Sequence, residues 1–467
     1  MENIVERVND VQQESKYQIE VVAPKHRHMS NWDMFATWIG ANANNGTWYV
    51  GGVLAACGLL TALKVIVASS ALSYLCLSLV GFMGYKTGAA TMSLIRGSFG
   101  VRGSYVPSFV NLTQYIGWTA VNTFIAATSV SYLLHDLVGW PVYGKPGGAK
   151  GLILGIIVMS VLHLLSVSVG QRSVQMIERI GIILVILFVL WETVVVFQTV
   201  SMHDLLTWRA PTHLHMTAGA GMDTLAAFNL SWVTAGADFT RFTRKRSGAT
   251  GMPFLGAFTG LFWFAFIGLA ATISIAITSG AYDPNNSDPS TIASRLGLGA
   301  LALLVIVLTS MTANAVNLLA AGSALSNIFP RIRLRPALWA VTIIATLVTL
   351  IPLVMGSFLD AFTAFLDYIG MVLGPMISVM LVDFYWRHHQ HYDVNELASS
   401  KGQYWYHHGI NWIALLCWVL GVVIYLLLKQ LPWIATFTGA TFIDMVIIAV
   451  IYMGLMRICY PLTAKQG

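Results

Sequence analysis

The stretch Trp38-Ile39-Gly40-Ala41-Asn42-Ala43-Asn44-Asn45-Gly46-Thr47-Trp48-Tyr49 constrains this chain more than any other. With its apolar flanks it is long enough to cross a bilayer, yet its centre carries three asparagines and two glycines. In hydrocarbon every backbone N–H and C=O needs a partner, so a helix weakened there needs a protein-lined cavity around it. A glycine-interrupted span is the usual pointer to a transporter's binding site, where half-helix ends and freed carbonyls face ligand or ion. On that reading Asn42 lines a cavity. The plainer alternative is a first helix whose amides bond to neighbouring helices.

Composition sets the class. The 467 residues are 56% hydrophobic and only 10% charged, with a mean hydropathy of +0.70. A soluble domain is about 25% charged, so the chain reads as an all-α integral membrane protein. Apolar runs of about 20 residues mark helical spans. Twelve are expected, at 31–57, 61–85, 106–135, 151–170, 174–199, 222–243, 252–279, 291–328, 337–356, 358–385, 409–429 and 432–461. The third and eighth are overlong. Residues 1–30 are polar and lack the apolar core of a signal peptide, so they read as a cytoplasmic tail.

Charge placement supports that count. Of the 26 Lys and Arg, only Lys64, Lys145, Lys150, Arg209, Arg295 and Lys429 fall on the outer side when the N-terminus is inside. This positive-inside bias places both termini in the cytoplasm of a multi-pass cell-membrane protein. The net charge of +6 then reports topology and contact with anionic lipid, and the scattered basic residues give no nucleic-acid surface. Cys57, Cys76, Cys417 and Cys459 lack CxxC spacing and read as small apolar residues. His388, His389, His391, His407 and His408 cluster in the loop before span eleven, where no carboxylate spacing organises them as metal ligands.

A second interruption recurs five spans later. Span six holds Phe228-Asn229-Leu230-Ser231-Trp232-Val233-Thr234-Ala235-Gly236-Ala237-Asp238, again polar, aromatic and glycine-bearing within one span. Spans three and eight, also five apart, carry the other polar stripes. Two five-helix halves led by interrupted helices fit an inverted-repeat transporter. The expected organisation is a tail (1–30), a first repeat (31–200), a second repeat (201–385), and a segment (386–467) with a cytoplasmic loop and two further helices.

The run from Thr87 to Trp118 contains Arg96-Gly97-Ser98-Phe99-Gly100, Gly103-Ser104, Pro107-Ser108 and Gly117-Trp118. With Ala237-Asp238-Phe239-Thr240-Arg241-Phe242, Gly374-Pro375 and Asp383-Phe384-Tyr385, it resembles the purine–cytosine permease branch of the nucleobase–cation symporter family. The resemblance covers nearly the whole chain. It implies twelve helices, ten of them in a leucine-transporter-type five-plus-five inverted repeat with two more at the C-terminus. It also implies secondary active uptake of a nucleobase or related heterocycle.

Span three supports this physically. Asn111, Gln114, Trp118 and Asn122 share one helix face. A planar ring needs an aromatic plate, and amides carry both a donor and an acceptor with which to read its edge. In the resembling family the tryptophan stacks on substrate and a polar residue one turn on hydrogen-bonds it, roles that fall on Trp118 and Asn122. An aromatic of span six takes the ring's other face; Phe228, Asn229 and Trp232 are the aligned positions. Asp238 and Arg241, at i and i+3, read as a structural or gating pair.

Span eight carries Thr309, Ser310, Thr312, Asn314 and Asn317. The resemblance implies that an asparagine here contacts substrate. It also implies sodium bound between hydroxyls of this span and carbonyls of span one, near Gly40 and Ala43. Counting from Asn317 makes Thr312 the first choice of ligand, and Thr309-Ser310 is the adjacent hydroxyl pair. Proton coupling is the alternative, with Glu192 and His163 as titratable intramembrane residues. No HExxH, GxSxG or Walker A motif is present, which argues against an enzyme or an ATP-driven pump. No cofactor beyond the coupling cation and no obligate protein partner is expected; the partners are lipid and a small heterocycle. The cytosine and purine class is favoured over allantoin, hydantoin or a thiamine-precursor pyrimidine.

Overall fold

The computed structural model describes residues 19–460 apart from 170, 330, 331 and 333, so most of the N-terminal tail lies outside the described residues. Among those described, the only β-structure is three isolated bridges. Each of the twelve expected ranges holds a helix. Seven are long and apolar enough to cross a membrane, and the helices over Ile183–Thr199 and Trp412–Leu428 are shorter apolar ones.

Span one is two helices, α1 (Asn31–Asn42) and α2 (Asn45–Val53). A capping box starts α1: Ser30 Oγ accepts from Asp33 N at 3.2 Å, and Asp33 Oδ2 accepts from Ser30 N at 2.8 Å. Ala43 leaves helical geometry at φ −82°, ψ 65°. Asn44 is extended and its side chain caps Thr47 N at 3.0 Å, restarting the helix. Span six is likewise α3 (Ala218–Val233) and α4 (Gly236–Thr240).

Span seven (Gly251–Ser279) positions both halves of span one. A Cβ at Gly256, Gly260 or Gly268 would collide with the carbonyls of Phe35, Ile39 and Trp48 respectively. Small residues at these positions let the backbones approach where hydrocarbon offers no hydrophobic drive between helices.

Span three (Tyr105–Val138) is one helix of 34 residues, and among the described residues its packing on span eight is the most extensive. Span eight departs from its expected range. A short helix (Pro289–Arg295) is separate from Gly299–Ile328, because Gly297 and Gly299 take φ of 69° and 73°, which break the helix. Apolar side chains facing outward, such as Ile183, Leu187 and Val194 of span five (Gln171–Thr199), are exposed where lipid is the solvent.

Candidate functional site

Spans one, three, six and eight converge on a cavity at the two helix breaks. Asn44 lines it from span one; Tyr115, Trp118 and Asn122 from span three; Phe228, Ser231 and Trp232 from span six; Ala313 and Asn317 from span eight. Helical spacing explains the grouping, since 115, 118 and 122, and 228, 231 and 232, are each one face. The lining leaves ≈ 330 Å³ of atom-free space, open solvent included.

Trp118 forms the aromatic wall. Its ring centroid lies 5.0 Å from Phe228, 5.1 Å from Phe365 and 6.2 Å from Phe362, all edge-to-face. Gly117 makes the second contact possible, because a Cβ there would collide with the Phe365 ring. Two buried polar atoms in this lining have no hydrogen-bond partner: Trp118 Nε1, a donor, and Asn122 Oδ1, an acceptor. Asn122 Nδ2 donates to Trp118 O at 3.0 Å, which turns its oxygen the other way. An aromatic cavity with an unused donor and acceptor fits a flat molecule with N–H and C=O edges.

The family model for permeases of cytosine/purines, uracil, thiamine and allantoin matches residues 21–449. The chain belongs to this family. It is therefore a multi-pass membrane transporter and not an enzyme. It is similar to the allantoin permease of Bacillus subtilis (25% identical, covering 96% of this chain and 95% of that one). It is also similar to a purine-uracil permease of Arabidopsis thaliana (25% identical, 87% and 70%). Among solved structures, inward-facing Mhp1 matches with a TM-score of 0.77 at 15% identity, over 96% of this chain and 95% of that one. A closed form of Mhp1, a nucleobase-cation-symport-1 family transporter with bromovinylhydantoin bound, matches with a TM-score of 0.72 at 16% identity, over 95% and 96%. The fold is thus the five-plus-five arrangement.

The permease brings Trp118, Asn122, Phe228, Trp232 and Asn317 together at the cavity and sets four other sequence candidates behind it. Asn42 and Asn229 both meet span two (Leu59–Thr87), with Tyr74 Oη 2.7 Å from Asn42 Oδ1 and 3.0 Å from Asn229 Oδ1. They join the two breaks structurally. Gln114 Nε2 donates to Asn111 Oδ1 at 2.6 Å and to Thr234 Oγ1 at 2.7 Å, tying span three to the residue that ends α3. Asn314 Nδ2 bonds Thr119 O and Thr123 Oγ1, each at 3.1 Å, and lies 3.2 Å from His163 Nε2. Asn317 Nδ2 reaches Asn314 Oδ1 at 3.3 Å, linking the cavity to that network.

The notch between span one and span eight is filled by an amide. Asn45 Nδ2 donates to Ile306 O at 2.9 Å and to Ser310 Oγ at 2.8 Å, while Asn45 Oδ1 is buried without a partner. Ser310 Oγ donates onward to Asn122 O at 2.9 Å. The other hydroxyls turn elsewhere. Thr309 Oγ1 bonds Val305 O and Thr312 Oγ1 bonds Thr309 O, each at 2.8 Å, and the Thr312 methyl faces Gly181 of span five. Gly40 lies in the last turn of α1 and Ala43 is its C-cap.

Asp238 and Arg241 do not pair through their side chains. Asp238 Oδ2 accepts from Thr91 Oγ1 at 2.8 Å and Thr91 N at 3.2 Å, while Arg241 lies 3.7 Å from Glu20. Sequence reasoning missed Asn44, Tyr115, Ser231 and Ala313. For Asn44 a signal was available, since Asn three residues before Thr47 is an N-cap pattern and α2 starts there. Tyr115 and Ser231 each lie three residues before or after a chosen aromatic. Ala313 carries no chemical signal.

Proposed function

We propose that this permease imports a small planar heterocycle across the cell membrane by cation symport and alternating access. Both termini are cytoplasmic in this reading. The ring lies against Trp118 and the span-six aromatics Phe228 and Trp232, and its edge pairs with Asn122 and Asn317. The carrying observation is the pair of unpartnered atoms, Trp118 Nε1 and Asn122 Oδ1, in the lining of an aromatic-walled cavity. The nucleobase class is favoured. Allantoin and hydantoin are the second reading, supported by the similarity to an allantoin permease over nearly the full length of both chains.

A thermal-shift panel of cytosine, uracil, hypoxanthine, allantoin and hydantoin tests the substrate class, because a ligand that binds the native state raises its stability. The hit should accumulate in proteoliposomes. A hit that is chemically converted, or a panel with no response, would refute the proposal.

For the coupling ion, the filled notch supports one reading. Asn45 Nδ2 already makes contacts that a cation would make with Ile306 O and Ser310 Oγ, which favours a proton over sodium. The sodium reading keeps Gly40, Ala43 and Ser310 as ligands. It needs Asn45 to rotate so that its unpartnered Oδ1 replaces the nitrogen. Uptake in choline buffer under an acid-outside gradient decides between them.

A further inference from the structure

Span five carries a carboxyl group that the site above does not use. Its bundle-facing stripe is Val185, Phe188, Val189, Glu192 and Val196, all buried, while Trp191 and Val194 are exposed on the lipid side. Both carboxyl oxygens of Glu192 are buried and have no hydrogen-bond partner.

Its surroundings follow from register. Spans one, five and seven are odd-numbered and run in the same direction. The Phe188 ring lies 5.2 Å from Trp48 of α2, and Gly268 of span seven packs directly on the Trp48 backbone. One turn beyond Phe188 comes Glu192, and five residues further Phe197 lies 6.3 Å from Phe266 of span seven. Glu192 thus sits between a contact with α2 and a contact with span seven.

Among the described residues no cation compensates it. Span seven and span eight, which pack on span five, contain no Asp, Glu, Lys, Arg, His or Tyr. Span four (Ala149–Val169) contributes Lys150, which is exposed, and His163, which meets Asn314 near that helix's far end. Tyr49 of α2 stacks on Phe358 at 5.1 Å. Asp288, next to Ser287, caps the short helix that follows through Ser290 N at 3.0 Å and Thr291 N at 3.1 Å. An ionised carboxylate sealed here has nothing among the described residues to offset its lost hydration, whereas the neutral acid avoids that penalty.

We propose that Glu192 is a proton-binding site whose neutral form lets span five close against α2 and span seven. Release of the proton leaves a carboxylate that draws in water and separates these helices, which couples proton movement to alternating access. The transport part rests on the permease reading above; the protonation part does not.

Infrared difference spectra of purified wild type against Glu192→Gln test protonation without any substrate. At neutral pH the wild type should show a carboxylic-acid C=O stretch that the variant lacks; carboxylate bands in its place would overturn the assignment. In proteoliposomes under an acid-outside gradient, the variant should exchange the panel heterocycle at wild-type rates but only equilibrate it. Accumulation equal to wild type would overturn the coupling role. If Glu192→Gln is not recovered folded, Glu192→Met carries both readouts. If no panel compound binds, the permease proposal fails while the infrared result still decides the fate of Glu192.

Discussion

Truncating Trp118 separates two roles that the structure gives to one side chain. Trp118 is 6% exposed and meets Phe228, Phe365 and Phe362 edge-to-face, so it is packing as well as cavity wall. Each such ring pair contributes about 0.5–1.5 kcal/mol beyond area burial. Trp-to-Ala changes in cores cost about 3–5 kcal/mol in stability. A stacking plate is worth about 1–3 kcal/mol per bound ring. That range is roughly 5- to 150-fold in affinity at about 1.4 kcal/mol per tenfold. Trp118→Ala should therefore lower both the melting temperature in detergent and the affinity for the panel heterocycle. Trp118→Phe should restore most of the melting temperature, because it keeps ring contacts with the three phenylalanines, but only part of the affinity. Calorimetric titration beside a melting curve reads both. A folded Trp118→Ala protein binding with wild-type Kd would refute the stacking role.

Three further substitutions probe other parts of the argument. Asn45→Asp places a carboxylate against Ile306 O and Ser310 Oγ, so sodium should raise the variant's melting temperature by up to about 2.7 kcal/mol equivalent at 100-fold excess over Kd and leave wild type unmoved. Equal responses would show that the wild-type notch already takes the ion. Gly117→Ala drives a methyl into Phe365 and should cost about 1–3 kcal/mol by overpacking, read from chemical denaturation; an unchanged midpoint would contradict the close approach. His388, in the loop after span ten, is held below the ordinary histidine range mainly by burial. The unfolded chain then binds the proton more readily, so this histidine's contribution is full above the unfolded value of about 6.5 and is lost as pH falls through that value towards the folded one. His388→Gln should flatten the drop of melting temperature on that acid limb, and an unaltered profile would remove His388 as its cause.

Much of the fold was readable because membrane helices must satisfy their backbones internally, and the two places that fail to do so stand out as Asn42 to Gly46 and Thr234 to Gly236. Trp118 and Asn122 were readable for a similar reason: an aromatic and an amide one turn apart must face the same way. Orientation around the helix axis was harder. Asn42 and Asn44 are two residues apart and chemically alike, yet one meets Tyr74 and the other the cavity, because the break between them turns the chain. Thr309, Ser310 and Thr312 look equivalent as hydroxyls. Only Ser310 points at span one, and spacing alone cannot reveal that a neighbouring amide from Asn45 meets it there.

The bare face of span seven carries a mechanical consequence. With Gly256, Gly260 and Gly268 seated on the backbones of both α1 and α2, the interruption in span one is not a free hinge. Its halves are splinted to one rod, and bending at Ala43 would lift one of them off. Span three is held to span eight differently, by Ser310 Oγ on Asn122 O and Asn314 Nδ2 on Thr119 O, so two closely packed blocks meet at the aromatic chamber. Trp118, Asn122 and Asn317 belong to one block and Asn44 to the other. On the proposed reading, a guest ring is mortar between masonry, and its arrival should change how the blocks lean without reshaping either. Spin labels paired on spans one and seven should keep their separation through a transport cycle, while a pair bridging spans one and three should not.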